Sequence, residues 1–125
     1  MINNVTLMGR ITHDLKLEST SNGKSALSFS LAVDRDYTDS NGERPTDFIR
    51  CTAYGATAEF IENYFFKGRM IAVMGQLRTH DYEDKHRVKH YVTEILITSA
   101  SFTGEPRAEE VKPADSGKSN TRKYK

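Results

Sequence analysis

The stretch from Asp47 to Tyr54 alternates two kinds of side chain, which is the pattern of a β-strand with two different faces. One face would carry Ile49, Cys51 and Ala53, and the other would carry Phe48, Arg50, Thr52 and Tyr54. If the apolar set faces the core, two rings and an arginine are exposed, and stacked bases with a phosphate on the arginine would cover them. The reverse orientation also buries Arg50, and arginine is rarely buried without a partner. The alternation therefore favours an outward, base-stacking face.

Two further tyrosines lie in polar segments that are predicted to be loops. Tyr37 follows Arg35, and Tyr82 lies in a charged run after Arg78. Each ring could stack on a base or fold back onto the domain edge, and the pattern alone favours neither. The basic residues near these aromatics are Arg35, Arg50, Arg78, Lys85, Arg87 and Lys89. Their clustering favours an anionic groove, although residues 1–103 hold 12 Lys/Arg against 13 Asp/Glu and lack a basic excess.

Residue sets that would support catalysis or metal binding fail on spacing. Ser116–Ser119 resembles the end of a phosphate-binding loop, but Lys112 stands where that loop needs its first glycine. The three histidines in segment 80–90 lack the spacing of a metal site. Cys51 lies within a predicted strand, away from any helix N-terminus that would activate its thiol. We therefore expect no enzyme: no catalytic residues, no metal site and no cofactor.

The periodicity of the chain predicts an all-β domain with one short helix. Five strands are predicted, at Asn4–Ile11, Ser25–Asp34, Asp47–Tyr54, Arg69–Arg78 and Tyr91–Phe102. A helix over 56–67 separates the third and fourth strands, and 36–45 and 80–89 are predicted to be polar hairpin loops. Gly9 and Gly75 lie inside strands, where glycine indicates a bulge or bend. Three strands, a helix and two strands is the connectivity of the OB-fold, a five-stranded Greek-key barrel used for oligonucleotides and oligosaccharides.

Length and composition indicate one folded domain followed by a tail. The chain has 125 residues, of which 37% are apolar and 28% charged. Residues 104–125 hold 6 Lys/Arg against 4 Asp/Glu, two of the three prolines and almost no large apolar side chain. We expect an OB-fold domain at 1–103 and a disordered basic tail at 104–125. The single cysteine fits a reducing, cytoplasmic setting, and no apolar run approaches the ~20 residues of a membrane helix.

An ordered set of motifs across residues 1–103 resembles the single-stranded DNA-binding proteins of bacteria and bacteriophages, especially Gram-positive members. The motifs are Met1–Ile11, Asn22-Gly23, Phe29–Val33, Asn41–Arg44, Asp47–Ile49, Lys67-Gly68, Gly75–Thr79 and Tyr91–Glu94. The resemblance implies an OB-fold that wraps single-stranded DNA without base-specific readout, usually as a homotetramer, in replication, recombination and repair. It also implies that the stacking aromatics are Tyr37, Phe48, Tyr54 and Tyr82. These are the positions that the residue pattern had already indicated.

The chain departs from that family in three places. It has no tryptophan, although the family often stacks bases on one, so its smaller rings would cover less area. His80 replaces a basic residue, which puts one phosphate contact in question at neutral pH. The last eight residues, 118–125, carry four positive and no negative side chains, whereas typical members end in an acidic tip that recruits partner proteins. We therefore expect no tail-mediated recruitment, and instead extra phosphate contacts from the tail.

Two other functions remain open on the sequence alone. One is an accessory OB-fold protein of nucleic-acid metabolism, either primosome-like or a cold-shock-type RNA binder. The other is an interaction module or oligosaccharide-binding domain without a nucleic-acid ligand, which the balanced charge of residues 1–103 would suit. The expected location is the cytoplasm of a bacterium, or of a host cell if a phage encodes the chain.

Overall fold

A computed structural model of the protein describes residues 1–105, which form one closed, mostly antiparallel sheet. Its elements are β1 (Val5–Ile11), β2 (Glu18–Ser19), β3 (Ser25–Asp34), β4 (Thr46–Tyr54), α1 (Gly55–Tyr64), β5 (Met70–Glu83) and β6 (Lys89–Ser101). The strands are ordered β1-β5-β6-β4-β3, and β3 pairs with β1 to close the ring. β4 and β6 pair in parallel, and the two-residue β2 adds to the edge of β3. The predicted five-stranded OB-fold barrel is confirmed.

Alternating apolar residues of the strands fill the barrel. In β3, Leu27, Phe29 and Leu31 are buried, as their alternation with serine and alanine predicts. α1 packs Ala58 and Ile61 against the same interior. The remaining buried apolar residues are Ile11, Cys51, Ala53, Phe65, Ile71, Val73, Ile95 and Ile97. This single core holds β4 and β6 side by side and so fixes the surface they share.

Two strand glycines allow the sheet to curl tightly. At Gly9, a Cβ atom would lie 2.7 Å from the Ala32 carbonyl oxygen, so β1 can approach β3 only without a side chain. At Gly75, a Cβ atom would overlap the backbone of Leu96, and a β-bulge lies between Met74 and this glycine. The irregularity predicted at Gly75 is confirmed by this bulge, and both glycines are required by close backbone approach.

The helix is shorter than predicted. The sequence pattern extended it to residue 67, but α1 ends at Tyr64, and Phe65 is extended while its N–H still bonds to the Ile61 carbonyl. The extended backbone lets Phe65 enter the core, where its ring stacks on Phe102 at a centroid distance of 5.2 Å. Core burial of an aromatic ring therefore outweighs continuation of a helix through residues of modest helix propensity.

The β5–β6 hairpin is longer than predicted. The sequence assigned 80–89 to a charged loop, but β5 continues to Glu83 and β6 begins at Lys89, so the turn is only five residues long. Beyond Gly75, β5 pairs with β6 alone, because its pairing with β1 ends there. Leu77, predicted on the buried side of its strand, is exposed for this reason. The hairpin is a two-stranded arm that extends beyond the barrel.

The segment after β6 is fastened to the barrel by two arginines. Arg69 is buried beneath the Phe65, Phe66 and Phe102 rings and donates a hydrogen bond to the Glu105 carbonyl. The Glu105 carboxylate pairs with Arg10 at 2.8 Å. Contacts with the barrel therefore continue to residue 105, and the predicted tail from 106 onwards lies outside the described residues, so the division at 103 stays a prediction. Within residues 1–105, no helix has the length and apolar character needed to cross a bilayer.

Candidate nucleic-acid interface

The outer face of β4 is the most exposed aromatic strand face that the sequence predicted. Phe48 is 70% exposed and Tyr54 is 44% exposed, whereas Cys51 and Ala53 are fully buried on the other face. Arg50 is exposed between the two rings. The outward orientation of Phe48, Arg50 and Tyr54 is confirmed, and their contact with DNA remains a prediction.

Thr52 is the exception on this face, because it is buried rather than exposed. Its hydroxyl donates a hydrogen bond to the Glu94 Oε1 atom of neighbouring β6 at 3.1 Å. The parallel pairing of β4 with β6 brings these side chains together, and the alternation of β4 by itself could not show it. The outward face of β4 is therefore interrupted by a polar contact.

Small side chains on β3 leave the β4 rings uncovered. The residues opposite the outward positions of β4 are, in order, Ala32, Ser30, Ser28 and Ala26. A large side chain directly across an antiparallel pair would lie within about 5.5 Å and would cover the ring. With Phe48 and Arg50, the two serines and His13 line an open groove. The lining combines hydroxyl groups, an aromatic ring and a guanidinium, and such a surface suits a base with its phosphate.

The β5–β6 arm extends this surface away from the barrel. Arg78, His80 and Tyr82 alternate along β5 and so share one face of the hairpin. Tyr82 is half exposed and stacks on His90 of β6, with ring centroids 5.0 Å apart and planes 20° apart. Tyr82 therefore lies in a strand and is held by a stacking contact, whereas the sequence pattern had placed it in a loop.

Asp84 orders the turn at the end of the arm. Its carboxylate accepts hydrogen bonds from the backbone N–H groups of His86 and Val88 and lies 2.8 Å from His90 Nε2. The hydrogen bond with His90, followed by those from the backbone, holds the pKa of Asp84 below its ordinary value. Asp84 thus fixes the His90 ring on which Tyr82 stacks.

Glu94 links the barrel face to the arm. Its carboxylate lies 3.4 Å from Arg50 Nε and 3.7 Å from His80 Nε2, and its side chain is only 17% exposed. Arg78 lies directly across from it in the β5–β6 pairing. This residue was missed on the sequence alone, since a single acidic residue in a strand has no distinctive pattern.

Tyr37 and Arg35 form a separate cluster at the β3–β4 loop. Arg35 pairs with both oxygens of Asp47 at 2.8 and 3.0 Å and donates a hydrogen bond to the Tyr37 hydroxyl at 2.8 Å. The hydrogen bond from Arg35 lowers the pKa of Asp47, and the same contact raises the pKa of Arg35. Asp47 directly precedes Phe48 in β4, so the Asp47 side chain lies on the face of β4 opposite to the Phe48 ring. The structure therefore joins Tyr37 to Asp47, and gives Arg35 a carboxylate partner with which a phosphate must compete.

Cys51 is a core residue. Burial, and secondarily the charge of Glu94, raises the pKa of its thiol to about 12. The thiol therefore stays protonated at neutral pH, which does not suit a nucleophile.

The comparisons with known proteins agree with this geometry. The model of the single-strand binding protein family matches residues 2–103. A single-stranded DNA-binding protein of Enterococcus faecalis is 38% identical over 120 residues, which cover 96% of this chain and 64% of that protein. Single-stranded DNA-binding protein 2 of Listeria monocytogenes is 40% identical over 116 residues, covering 93% of this chain and 72% of that protein.

A third relative shows the same extent of similarity. Single-stranded DNA-binding protein A of Bacillus subtilis is 40% identical over 102 residues, which cover 82% of this chain and 59% of that protein. The chain thus spans between 59% and 72% of the length of these three relatives. The resemblance drawn from the sequence motifs is confirmed, and the chain belongs to the single-strand binding protein family.

Proposed function

We propose that this protein binds single-stranded DNA without base-specific readout. The observation that carries the proposal is the Phe48 ring, 70% exposed on a strand whose neighbour offers only small side chains, with Arg50 beside it. Phe48, Arg50 and Tyr54 together form an exposed aromatic and cationic strip on one strand face. Every base has a flat face that can stack on such rings while its phosphate meets the arginine. The names of the relatives, which state that those proteins bind single-stranded DNA, support the same ligand.

In the proposed mechanism the strand crosses the outer face of β4 and continues along the arm. Bases stack on Phe48, Tyr54 and Tyr82, while Arg50 and Arg78 neutralise phosphates between them. Each stacked base contributes about 1–3 kcal/mol, and each neutralised phosphate adds a salt-dependent increment. Because stacking does not depend on base identity, binding tolerates any sequence.

Tyr37 and Arg35 are proposed to contact the strand at the β3–β4 loop, before it reaches this face. Arg35 holds the Tyr37 hydroxyl in place, so that ring is ordered before DNA arrives. Asp47 offsets the charge of Arg35. We therefore expect Arg35 to contribute mainly by positioning Tyr37, with a smaller phosphate contact.

The proposed role is to coat and protect exposed single strands during replication, recombination and repair in the cytoplasm, without catalysis. Coating extends further when several barrels act together, and we propose a homotetramer. Val5 and Leu7 of β1 are half-buried and pack against the core. Light scattering at micromolar concentration should give four times the chain mass of 14.2 kDa, and a stable monomer would contradict the tetramer.

Competition between nucleic acids tests the proposed ligand. Fluorescence anisotropy of a labelled oligo(dT) should report tight binding that unlabelled single-stranded DNA of mixed sequence displaces and duplex DNA does not. Displacement by RNA of equal length at lower concentration than DNA would favour the accessory RNA-binding function instead. Absence of any oligo(dT) binding would leave an interaction module or oligosaccharide binder and would refute the proposal.

A further inference from the structure

An acidic side chain lies at the centre of the proposed DNA face. Glu94 Oε1 accepts a hydrogen bond from Thr52 at 3.1 Å and lies 3.4 Å from Arg50 Nε, while Oε2 lies 3.7 Å from His80 Nε2. The carboxylate thus touches one residue of β5 and two of β4. A surface built to attract phosphates is not expected to place a carboxylate against its own arginine.

The charged groups around Glu94 come from three strands. From β4 the group is Arg50, from β5 they are Arg78 and His80, and further along β6 and its turn His90 and Asp84 pair with each other. His13, in the loop after β1, lines the groove on the side of Arg50. Asp81 lies between His80 and Tyr82 in β5, so it projects from the opposite face of the hairpin. Among the described residues, Glu94 is therefore the acidic group that pairs with both Arg50 and His80.

Glu94 cannot easily move aside. Its side chain is 17% exposed, and the hydrogen bond from buried Thr52 holds one oxygen in place. A phosphate that approaches Arg50 must therefore come close to a fixed negative charge. The guanidinium is half exposed, and its N–H groups can donate hydrogen bonds to Glu94 or to a phosphate. On the basis of the proposed function, we infer that Glu94 is a positioning residue that holds Arg50 and limits its affinity for phosphate, to a degree set by the charge of His80.

The role of His80 follows from its distance to the carboxylate. Imidazole is the side chain that changes charge near neutral pH. When His80 is neutral, nothing offsets the Glu94 charge on the His80 side, so the carboxylate attracts Arg50 and repels an incoming phosphate. A protonated His80 offsets the carboxylate and releases Arg50, so affinity for single-stranded DNA rises as the pH falls from 8 to 6.

The test compares E94Q with the wild-type protein at pH 8 and pH 6 by anisotropy with labelled oligo(dT). Glutamine has nearly the same shape and keeps an oxygen for Thr52, so only the charge is removed. At pH 8, E94Q should bind up to about fivefold more tightly, which is the change expected when the half-exposed guanidinium of Arg50 is released from its ion pair. At pH 6 this gain should shrink, because protonated His80 already offsets the carboxylate in the wild type.

Two histidine variants identify the group that titrates. In an H80Q background the gain from E94Q should be equal at both pH values. In an H86Q background the gain should still shrink at pH 6, because His86 lies at the turn and is bonded through its backbone to Asp84. Equal shrinkage in H80Q and H86Q would overturn the assignment of His80.

The outcomes separate the inference from the proposed function. If the wild type binds oligo(dT) and E94Q binds equally or more weakly at pH 8, the carboxylate does not limit affinity and the inference is wrong. If the wild type binds no oligo(dT) at either pH, the proposed function itself fails. Thermal melting checks that E94Q folds. If it does not, H80Q alone decides, because it should lose part of the wild-type gain between pH 8 and pH 6, and an unchanged pH response would overturn the inference.

Discussion

Replacing Phe48 with alanine removes the most exposed ring of β4 while leaving the barrel core intact. Complete burial of a phenylalanine is worth about 1.5–3 kcal/mol, and this ring is 70% exposed. Its loss should therefore lower the free energy of unfolding by only about 0.5–1 kcal/mol. Phe48 lies opposite Ala32, so no large neighbour loses a packing partner.

The same substitution should strongly weaken DNA binding. One base–aromatic stack is worth about 1–3 kcal/mol, which corresponds to a roughly 5- to 150-fold rise in the Kd for oligo(dT). Because the ring carries no charge, the slope of log K against log salt concentration should not change. Anisotropy titrations at several salt concentrations give both quantities from one set of samples.

Tyr91 provides a matched control. It is 77% exposed, but it pairs with Asp81 and so lies on the face of the arm opposite Tyr82. F48A should bind much more weakly than wild type, and Y91A should bind like it. If Y91A loses as much affinity as F48A, exposed rings contribute non-specifically and the assignment of the β4 face is refuted. Unchanged binding by F48A would refute it as well.

Three further substitutions test other parts of the structure. R78A should reduce the log–log salt slope by about 0.7, the value for one phosphate contact on a single strand, and an unchanged slope would remove Arg78 from the interface. G75A should destabilise the barrel by about 1–3 kcal/mol or more in urea unfolding, because a Cβ atom there overlaps the Leu96 backbone, and wild-type stability would contradict the close approach. The pKa of Asp84 is lowered in the fold, so its contribution is present above the ordinary aspartate range and is lost as the pH falls below about 4. NMR amide exchange should show the hairpin turn loosening there before the barrel does, and D84N should loosen it already at neutral pH.

The barrel strands were predictable because their faces differ so clearly in polarity. Ser25–Asp34 alternates apolar and small polar residues, and this strand is found with the predicted bounds. The arm was missed because residues 80–89 are charged on both faces, which is typical of a loop, yet a two-stranded ribbon outside a barrel has no buried face to mark it. The helix end was missed because periodicity does not reveal that Phe65 packs into the core against Phe102.

The candidate site was predictable where one strand decides it and not where several strands meet. The outward position of Phe48 follows from the alternation of β4 alone, with a buried cysteine and alanine on its other face. The position of Glu94 against Arg50 depends on the parallel pairing of β4 with β6. This pairing brings the Glu94 carboxylate within 3.4 Å of Arg50 Nε, although the two residues are 44 positions apart in the chain. Likewise, the Arg35 contact with Asp47 depends on how the loop between β3 and β4 closes. Local patterns do not contain these pairings.

Photocrosslinking tests the central claim most directly, namely that single-stranded DNA lies across the outer face of β4 and along the arm. An oligonucleotide that carries 5-iodouracil forms covalent links to aromatic rings stacked on it, and mass spectrometry identifies the linked residues. We predict links at Phe48, Tyr54 and Tyr82, and none at Tyr91 or Tyr64. Links confined to Tyr91, Tyr64 or other rings outside this face would contradict the account.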